Sequence, residues 1–477
     1  MKLRNYFGDK AFYKRVLSLT IPIMIQSGIT NFVNMLDNIM VGRVGTLPMT
    51  GVAVANQLIF VYNICVFGAV SGAGIFVAQF HGKRDTKGVQ QTFRFKLLTC
   101  LAITLLGLGI FAFGGDMLIS QWLKGEGQAS DIAAALKYGS DYLKIILWGL
   151  IPYAVTQCYS GTLRETDKVL PPMFAGILAV GVNLTLNWVL IFGKLGAPAL
   201  GANGAAIATV ISRYVELAVV VIWTHCNSGK NPFIRGVYRS LYIPAALIRD
   251  ISVRGLPLML NEAMWSAGVT FLNQCYSVRS LDVVSATNIS STFFNVFGVA
   301  FMSVGSAIGI IVGQYLGAGK SEEAKDAARK MIVFSVLVSI AVGSVFFAAA
   351  AYIPNSYNTT ESVRYLAKRL MQITAVLMPL DAFAHASYFT IRSGGKVFVT
   401  ILFDSVYVWV INVPTALLLT HFTGLNVMIL FAIVESEKLI KDIIGGALVR
   451  SGIWIHNIVA QEESAENTDT ERKKTSI

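Results

Sequence analysis

The sequence predicts an all-α integral membrane protein of about twelve transmembrane helices, divided into two pseudo-symmetric six-helix lobes. Three observations lead to this fold class: apolar runs of membrane-spanning length, basic residues confined to alternate loops, and a repeat of the first half in the second. The composition agrees, since 54% of the 477 residues are hydrophobic and 14% are charged, against roughly 25% charged residues in soluble domains. Such a chain cannot cover itself with polar surface, so part of its solvent is lipid.

Twelve runs approach the length of about 20 mostly apolar residues that a membrane-spanning helix needs. The last run is the weakest, because Glu435, Glu437, Lys438 and Lys441 lie in it. These charges can pair along one helix face at i,i+3 and i,i+4, and long lysine side chains can reach toward the interface. The runs extend from Val16 to Met40, Val52 to Phe80, Phe95 to Phe113, Tyr138 to Tyr159, Val169 to Phe192, Ala205 to Thr224, Ile251 to Tyr276, Ala286 to Leu316, Met331 to Tyr352, Leu366 to Ile391, Val397 to Thr420 and Val427 to Ile444.

Basic residues alternate from loop to loop. The segment before the first run and the loops after the second, sixth and eighth runs are rich in Lys and Arg, whereas the intervening loops carry little more than Arg43, Lys194 and Arg279. Loops rich in Lys and Arg remain in the cytoplasm. With an even number of helices, the pattern predicts a multi-pass protein of the plasma (inner) membrane with both termini in the cytoplasm. The net charge of +12 is therefore interpreted as topology and not as nucleic-acid binding.

Sequence motifs for enzymatic chemistry are absent. There is no ATP phosphate-binding loop, no G-x-S-x-G motif and no H-E-x-x-H motif. The five cysteines are scattered without a C-x-x-C pair, and the five histidines form no cluster with ligand spacing, so they are interpreted as core and surface residues. We therefore expect a monomer that is not an enzyme, needs no cofactor, contacts membrane lipids, and uses an ion gradient or the gradient of its own substrate.

The second half of the chain repeats features of the first at one constant offset. Pro22 pairs with Pro257 in this way, and the segment Ser71–Gly82 pairs with Ser306–Gly317 through several identical residues. Transporters built from paired halves bind their substrate between the halves, so the repeat indicates a transporter. The predicted parts are an N-terminal lobe at 1–224, a basic cytoplasmic linker at 225–250, a C-terminal lobe at 251–458 and a polar tail at 459–477 that we expect to be disordered.

Four polar side chains of the first half are predicted to form an ion-binding site. Asp37 lies late in the first run, Asn183 and Asn187 lie one turn apart late in the fifth, and Thr209 lies early in the sixth. With the N-terminus in the cytoplasm, all four fall in the outer half of the membrane. A carboxylate with amide and hydroxyl oxygens suits a proton or a hard cation such as Na⁺. A structural cluster that joins three helices is the alternative.

Two carboxylates of the second half are predicted to form another site. Glu262 lies mid-way along the seventh run and Asp381 mid-way along the tenth, and neither has a Lys or Arg within one turn. Unpaired and close together, they would raise each other's pKa and then titrate or share a cation. Aromatic faces attract flat organic cations, with core packing or lipid contact as the alternative role. The aromatic residues expected to line a substrate cavity are Trp265, Phe293, Phe294 and Tyr388.

Seven short segments stand in the order and spacing of a known family. They are Asp37–Gly42, Ala78–Gly82, Gly161–Arg164, Gly255–Pro257, Gly313–Gly317, Phe389–Arg392 and Trp454–Asn457. Through them the chain resembles the multidrug and toxic compound extrusion (MATE) family, and its bacterial NorM-like branch most, from about Val16 to Ile458.

This resemblance implies the MATE fold of twelve helices in two lobes. It implies that Asp37 and Asn183 take part in proton or sodium coupling in the N-terminal lobe, and that Glu262 and Asp381 are the acidic pair of the C-terminal lobe, tied to sodium. Asn187 is a departure, because many members carry an aspartate there. The loss of that carboxylate weakens the case for Na⁺ in the N-terminal lobe.

The function expected from these observations is secondary active antiport. Small, often cationic organic molecules, drugs or metabolites, would leave the cell in exchange for Na⁺ or H⁺ by alternating access. A flippase for a lipid-linked precursor is the first rival, but its cavity would be lined by Arg and Lys, and Arg213 is the only obvious deep cation in the first six runs. A receptor or scaffold that transports nothing is the second rival, and the deep carboxylates and the repeat disfavour it.

Overall fold

The computed structural model of the protein describes residues 6–123, 129–277, 280–357 and 359–460. In these residues the chain forms helices and connecting turns without a β-strand, which confirms the predicted all-α class. Of the tail predicted to be disordered at 459–477, Val459 is fully buried, and the residues from 461 onward lie outside the described part.

Twelve helical segments follow one another along the described chain, and three of them are interrupted by a local change in geometry. A single 3₁₀ turn interrupts α4, two π-helical stretches interrupt α11, and α12 is interrupted at Glu437. The segments are α1 (Lys10–Gly42), α2 (Thr46–Lys83), α3 (Thr86–Trp122), α4 (Ala129–Ile146 and Leu150–Glu165), α5 (Leu170–Phe192), α6 (Gly201–Cys226), α7 (Ala245–Ser277), α8 (Leu281–Gly317), α9 (Ser321–Ala349), α10 (Glu361–Ser393), α11 (Val397–Phe422) and α12 (Val427–Ser436 and Lys438–Ser451).

Membrane-spanning character is unevenly distributed over these segments. By length and composition, 8 of the described helices are apolar enough to cross a membrane. The segments α4, α7, α10 and α12 are not among them, and α7, α10 and α12 carry most of the ion-paired side chains described below. Ionisable residues inside a membrane are costly and are usually retained for function.

Side-chain caps and glycines determine the ends of several helices. The Ser280 hydroxyl accepts a hydrogen bond of 3.3 Å from the Val283 amide at the start of α8, and the Thr360 hydroxyl accepts one of 3.3 Å from the Val363 amide at the start of α10. Such caps satisfy amides that have no partner inside the helix. Gly193 ends α5 in the left-handed conformation, with φ of 65°, which glycine adopts without steric cost.

The middle of α11 departs from α-helical geometry. The stretches Leu402–Val406 and Val408–Asn412 are π-helical, and Pro414 stands at the start of the regular turns that follow. π-helical turns are rare and occur frequently at functional sites. Asp404 lies in the first of these stretches, where its side chain contacts both α7 and α12.

The chain divides into two compact units. The N-terminal unit comprises Ile25–Val77 and Thr86–Arg249, and the C-terminal unit comprises the chain up to Met24, the segment Ala78–Asp85 and the chain from Asp250 onward. The start of α1 and the end of α2 thus pack with the second half of the chain. The division into functional lobes at 1–224 and 251–458 stays a prediction.

The end of α2 belongs to the C-terminal unit because of the side chain of Gln79. Its Nε2 donates to the carbonyl oxygens of Ser393, at 3.0 Å, and His456, at 3.2 Å. Its Oε1 accepts from the Ile458 amide at 2.9 Å. One buried side chain therefore satisfies the last carbonyl of α10 and two backbone groups of the segment that follows α12, as buried polar groups require.

The apolar core of the C-terminal unit lies mainly between α8, α9 and α10. Phe346, Leu370, Met371 and Met378 are fully buried there. Burial of side chains of this size contributes about 1.5–3 kcal/mol each, so this core fixes α10, which carries Asp381, against its neighbours.

The basic loop predicted after α2 is mostly helical. α2 ends at Lys83 and α3 begins at Thr86, so Lys96 lies inside α3. Its side chain is completely buried, with Nζ 2.5 Å from Glu165 Oε2. Lys96 already lies inside the predicted run Phe95 to Phe113, so it is a further buried cation of the first six helices beside Arg213 and was overlooked when Arg213 was expected to be the only obvious one.

The linker predicted at 225–250 is held against α3. Phe233 and Val237 are buried, and Arg94 Nε donates to the Val237 carbonyl at 2.8 Å while its Nη1 donates to the Tyr242 carbonyl at 3.1 Å. A buried guanidinium that satisfies several carbonyls gives the linker a defined path.

Candidate functional site

The four polar residues predicted in the first half meet in the N-terminal unit. Asn187 Nδ2 donates to Asp37 Oδ1 at 2.6 Å, and the same nitrogen lies 3.1 Å from Asn183 Oδ1. Asn183 Nδ2 in turn lies 3.4 Å from the Thr209 hydroxyl. The predicted proximity is thus present, and it joins α1, α5 and α6 through side chains alone.

Helix geometry explains why these side chains converge. Asn183 and Asn187 are one turn apart, so they project from the same face of α5. Gly204 of α6 lets that helix approach closely, since a Cβ at this position would lie 2.6 Å from the Leu190 carbonyl oxygen. The close approach of α6 brings Thr209 within reach of Asn183.

The amide of Asn183 has a second orientation, which gives up its hydrogen bond with Asn187 Nδ2 and turns the Asn183 nitrogen to the carboxylate. With its oxygen and nitrogen exchanged, the nitrogen lies 3.1 Å and 3.2 Å from the two carboxylate oxygens of Asp37. Asp37 then accepts hydrogen bonds from both asparagines, which suits its charged form. Among the described side chains, Asn187 Oδ1 is buried without a hydrogen-bond partner, so the amide that donates to the carboxylate also carries an acceptor.

Glu262 is already paired in the C-terminal unit. Its Oε1 accepts from the Tyr388 hydroxyl at 2.8 Å and from Arg392 Nη1 at 3.1 Å. The expectation of an unpaired carboxylate is therefore wrong. The cation comes from α10 while Glu262 stands on α7, so no inspection of neighbouring sequence positions could reveal it.

Asp381 is paired as well, with a different cation. Lys438 Nζ lies 2.7 Å from Asp381 Oδ1 and 2.5 Å from Glu435 Oε2. The predicted pair therefore consists of two separate ion pairs, Glu262 with Arg392 and Asp381 with Lys438. Each carboxylate is paired with a positive charge of the protein. The expectation that the two share a proton or a cation depended on both being unpaired, so its basis is lost.

A third ion pair was missed by sequence reasoning. Asp404 accepts from Lys441 Nζ at 2.8 Å and from Asn261 Nδ2 at 3.0 Å. The signal was present as the excess of charge in the last apolar run, with Lys438 and Lys441 one turn apart. Those lysines pair across helices with α10 and α11, in addition to the pairing of Lys438 with Glu435 along α12.

The aromatic candidates stand in different surroundings within the C-terminal unit. Tyr388 is buried, and its hydroxyl is engaged by Glu262. Phe293 and Phe294 pack against the apolar core, which agrees with the packing alternative for these two. Trp265 is 41% exposed. A role of these residues in a substrate cavity stays a prediction.

A resident metal site does not emerge from the residues that the structure describes. Among them, no group of three or more His, Cys, Asp and Glu side chains is placed to hold a metal ion. A hard cation needs several oxygen ligands, and one oxygen of Glu262 and one of Asp381 are already held by Arg392 and Lys438. The donor set of the C-terminal unit therefore does not fit the predicted ion.

Comparison with known proteins agrees with this architecture. The sequence profile of the MatE family matches residues 22–189 and 257–418, two segments that begin at the repeated prolines. The "Probable multidrug resistance protein NorM" of Thermotoga maritima is 22% identical over 454 residues, which cover 94% of this chain and 95% of that protein. The "Multidrug resistance protein MdtK" of Edwardsiella ictaluri is 25% identical over 414 residues, which cover 85% of this chain and 87% of that protein.

Solved structures show the same fold at low sequence identity. The outward-facing conformation of a multidrug resistance MATE family transporter has a TM-score of 0.82 at 19% identity, covering 94% of this chain and 98% of that chain. A MOP superfamily transporter from Pyrococcus furiosus has a TM-score of 0.78 at 20% identity, with the same coverage of 94% and 98%. Taken with the profile match over most of the sequence, these likenesses establish that the chain belongs to the MATE family of membrane transporters, in its bacterial NorM-like branch.

Proposed function

We propose that the protein is a secondary active antiporter of the bacterial plasma membrane that exports small, often cationic organic molecules in exchange for an inward-moving cation. Both termini would lie in the cytoplasm. The names of the relatives, which describe multidrug resistance proteins, support the substrate class. The Asp37 cluster supports ion coupling, because it places one carboxylate among neutral polar groups within an apolar helix long enough to cross a membrane, where ionisable residues are usually functional.

A proton is the coupling ion that this cluster favours. It offers a single carboxylate, Asp37, and the amide nitrogen of Asn187 donates to it at 2.6 Å. Na⁺ would require the asparagines to present oxygens in place of these donors, and Asn187 supplies no second negative charge. A proton requires only one carboxylate oxygen, and a protonated Asp37 would have Asn187 Oδ1 as an acceptor once the amide turns its oxygen toward the carboxyl group.

Coupling follows from a difference in affinity between the two orientations of a transporter. A ligand shifts an equilibrium only by the difference between its affinities for the two states. Protonation of Asp37 removes the charge that holds Asn183 and Asn187, so it changes the contacts that join α1, α5 and α6. Export would proceed if the protonated cluster favours one orientation and bound substrate favours the other.

Ethidium efflux from bacterial cells that lack their own efflux pumps tests this proposal. Cells expressing the chain are loaded with ethidium and given a Na⁺ pulse or an acid pulse, and the loss of fluorescence is followed. Asp37→Asn is measured beside the double variant Glu262→Gln, Asp381→Asn. Asp116→Asn is the matched control, because Asp116 is an exposed carboxylate on α3 of the same unit.

Proton antiport predicts efflux after the acid pulse that is lost in Asp37→Asn and kept in Asp116→Asn. Efflux that follows Na⁺ and survives Asp37→Asn would contradict the assignment of the coupling ion. A well-expressed wild-type chain that moves no dye under either gradient would contradict the multidrug proposal and favour the flippase. The pairing of Lys96 with Glu165 disfavours that alternative, because this buried cation already has an internal partner.

A further inference from the structure

The C-terminal unit contains a set of ion pairs to which the proposed antiport assigns no role. Three cations, Arg392, Lys438 and Lys441, project from α10 and α12 toward carboxylates on neighbouring helices. Each charge inside a membrane carries a desolvation cost that only good pairing offsets. The number of charges therefore requires an explanation beyond the packing of helices.

Lys438 has the geometry of a bound monovalent cation. Its ammonium lies between a carboxylate of α10, Asp381, at 2.7 Å and one of α12, Glu435, at 2.5 Å. The side chains are mostly buried, with exposures of 24% for Lys438, 17% for Asp381 and 19% for Glu435. Two carboxylates around one positive charge is an arrangement that a free cation could also occupy, but here the cation is covalently attached.

The other charged groups near Asp381 reinforce this effect. Within the part of the chain that the structure describes, one oxygen of Asp381 and one of Asp442 are buried without a hydrogen-bond partner, so acidic groups remain that could attract a cation. Lys438 and Lys441 both act electrostatically on Asp381 and on Asp442. A sodium ion drawn to these oxygens would meet two ammonium groups, and like charges at short range in a low-dielectric site repel strongly.

The neighbouring carboxylates are closed to free cations in the same way. Lys441 lies 2.8 Å from Asp404, and Arg392 lies 3.1 Å from Glu262. The π-helical part of α11 contributes Asp404 to this arrangement. Every carboxylate predicted to hold Na⁺ in this half of the chain thus has a lysine or an arginine of the chain itself as its partner.

We propose that Lys438 is a built-in cation that takes the place of a sodium ion between Asp381 and Glu435, so that the C-terminal unit takes up no Na⁺ from solution. Lys438 is then a specificity-determining residue for the coupling ion. An attached ammonium cannot be released on the other side of the membrane, so this unit contributes no ion to the exchange. The inference rests on the proposed function in one respect: if the C-terminal unit binds no Na⁺, the Asp37 cluster is the site that couples ion movement to export.

Thermal unfolding of the purified full-length chain tests the inference without any transport assay. Unfolding temperatures are compared in NaCl and in choline chloride at equal ionic strength and pH, since a ligand that binds the folded state raises the unfolding temperature. All variants carry Asp37→Asn, which removes the carboxylate of the N-terminal cluster. Lys438→Met removes the ammonium and keeps most of the side-chain volume. Lys330→Met is the matched control, because Lys330 is 20% exposed, much like Lys438, and pairs with Asp326 one turn earlier on α9.

The Asp37→Asn chain is expected to unfold at the same temperature in both salts. Adding Lys438→Met should lower the unfolding temperature in choline chloride by several degrees, and NaCl should recover a large part of that loss. Lys330→Met should show no difference between the salts. Lys438→Arg, which keeps the charge, should behave as the parent chain does.

Two results would overturn the inference. The first is a rise in unfolding temperature specific to NaCl in the Asp37→Asn chain that disappears on adding Asp381→Asn, because Na⁺ would then bind with Lys438 in place. The second is a folded Lys438→Met variant that does not respond to NaCl. If that variant does not fold, the double variant Lys438→Gln, Asp381→Asn takes its place. A rise in its unfolding temperature in NaCl would contradict the inference, because Na⁺ would then bind without the Asp381 carboxylate.

Discussion

The crossing of α2 and α8 gives the most direct test of the packing in the C-terminal unit. A Cβ placed on Gly82 would lie 2.6 Å from the carbonyl carbon and 2.7 Å from the Cα of Gln314. A Cβ placed on Gly317 would lie 2.5 Å from the same two atoms of Gln79. The contact is reciprocal, since the glycine of each repeated Q-x-x-G segment packs against the backbone of the other segment's glutamine.

Alanine at either glycine should therefore destabilise the protein strongly. Carbon atoms prefer separations of about 3.5–4.0 Å, so the two helix ends must move apart by about 1 Å. Both clashing groups are backbone and cannot rotate away. The expected cost lies at the upper end of the range for overpacking, about 3 kcal/mol, which corresponds to a fall of about 6 °C or more in the unfolding temperature of a unit of this size.

A thiol-reactive fluorescent dye in a thermal ramp measures this effect, because Cys100, Cys158 and Cys275 are buried in the folded chain. Gly109→Ala is the matched control, since a Cβ at Gly109 of α3 meets nothing within 4 Å. That change should be neutral or stabilising, because alanine is favoured over glycine inside a helix by about 0.8–1.0 kcal/mol. Unfolding of Gly82→Ala and Gly317→Ala at the wild-type temperature would refute the reciprocal crossing.

Three further outcomes are expected. Asn187→Asp places a second carboxylate beside Asp37, so the pair should hold a proton at higher pH. The midpoint of the pH profile of ethidium efflux should then move upward, and an unchanged profile would show that Asn187 takes no part in coupling. Lys96→Met should lower the free energy of unfolding by about 3–5 kcal/mol, because it leaves the Glu165 carboxylate without its lysine. The double change Lys96→Met, Glu165→Gln should recover most of the lost unfolding temperature, and no recovery would mean that lost packing, and not an unpaired charge, explains the destabilisation. Arg94→Gln removes donors to three linker carbonyls, so limited trypsin digestion should cut the linker faster than in wild type, and equal rates would show that burial of Phe233 suffices to hold it.

The N-terminal cluster illustrates how far sequence reasoning reaches. The spacing of Asn183 and Asn187 places them on one helix face whatever the tertiary structure is. The position of Asp37 and Thr209 along their helices then gives each a depth, since helix rise and membrane thickness are both constant. Groups at one depth on consecutive helices can meet, and in the structure they do.

The C-terminal ion pairs show what prediction from sequence could not determine. Lys438 and Asp381 are separated along the chain by all of α11, and Glu262 and Arg392 by more than two whole helices. Which residues face each other across helices depends on helix rotation and tilt, which packing determines and no local pattern records. The prediction of free carboxylates was wrong for this reason, although each sequence neighbourhood was described correctly.

By itself, the sequence determined the all-α membrane class, the number of helical segments, the repeat and the family, because these depend on local hydropathy, on charge and on order along the chain. It also marked Gly82, Gln79 and their repeats as special positions. Only the tertiary structure decided that these repeats pack against each other, that the linker is held by Arg94, and that internal cations neutralise the deep acids of the second half. Those features depend on contacts between residues that lie far apart in sequence, and their geometry exists only once the helices have packed.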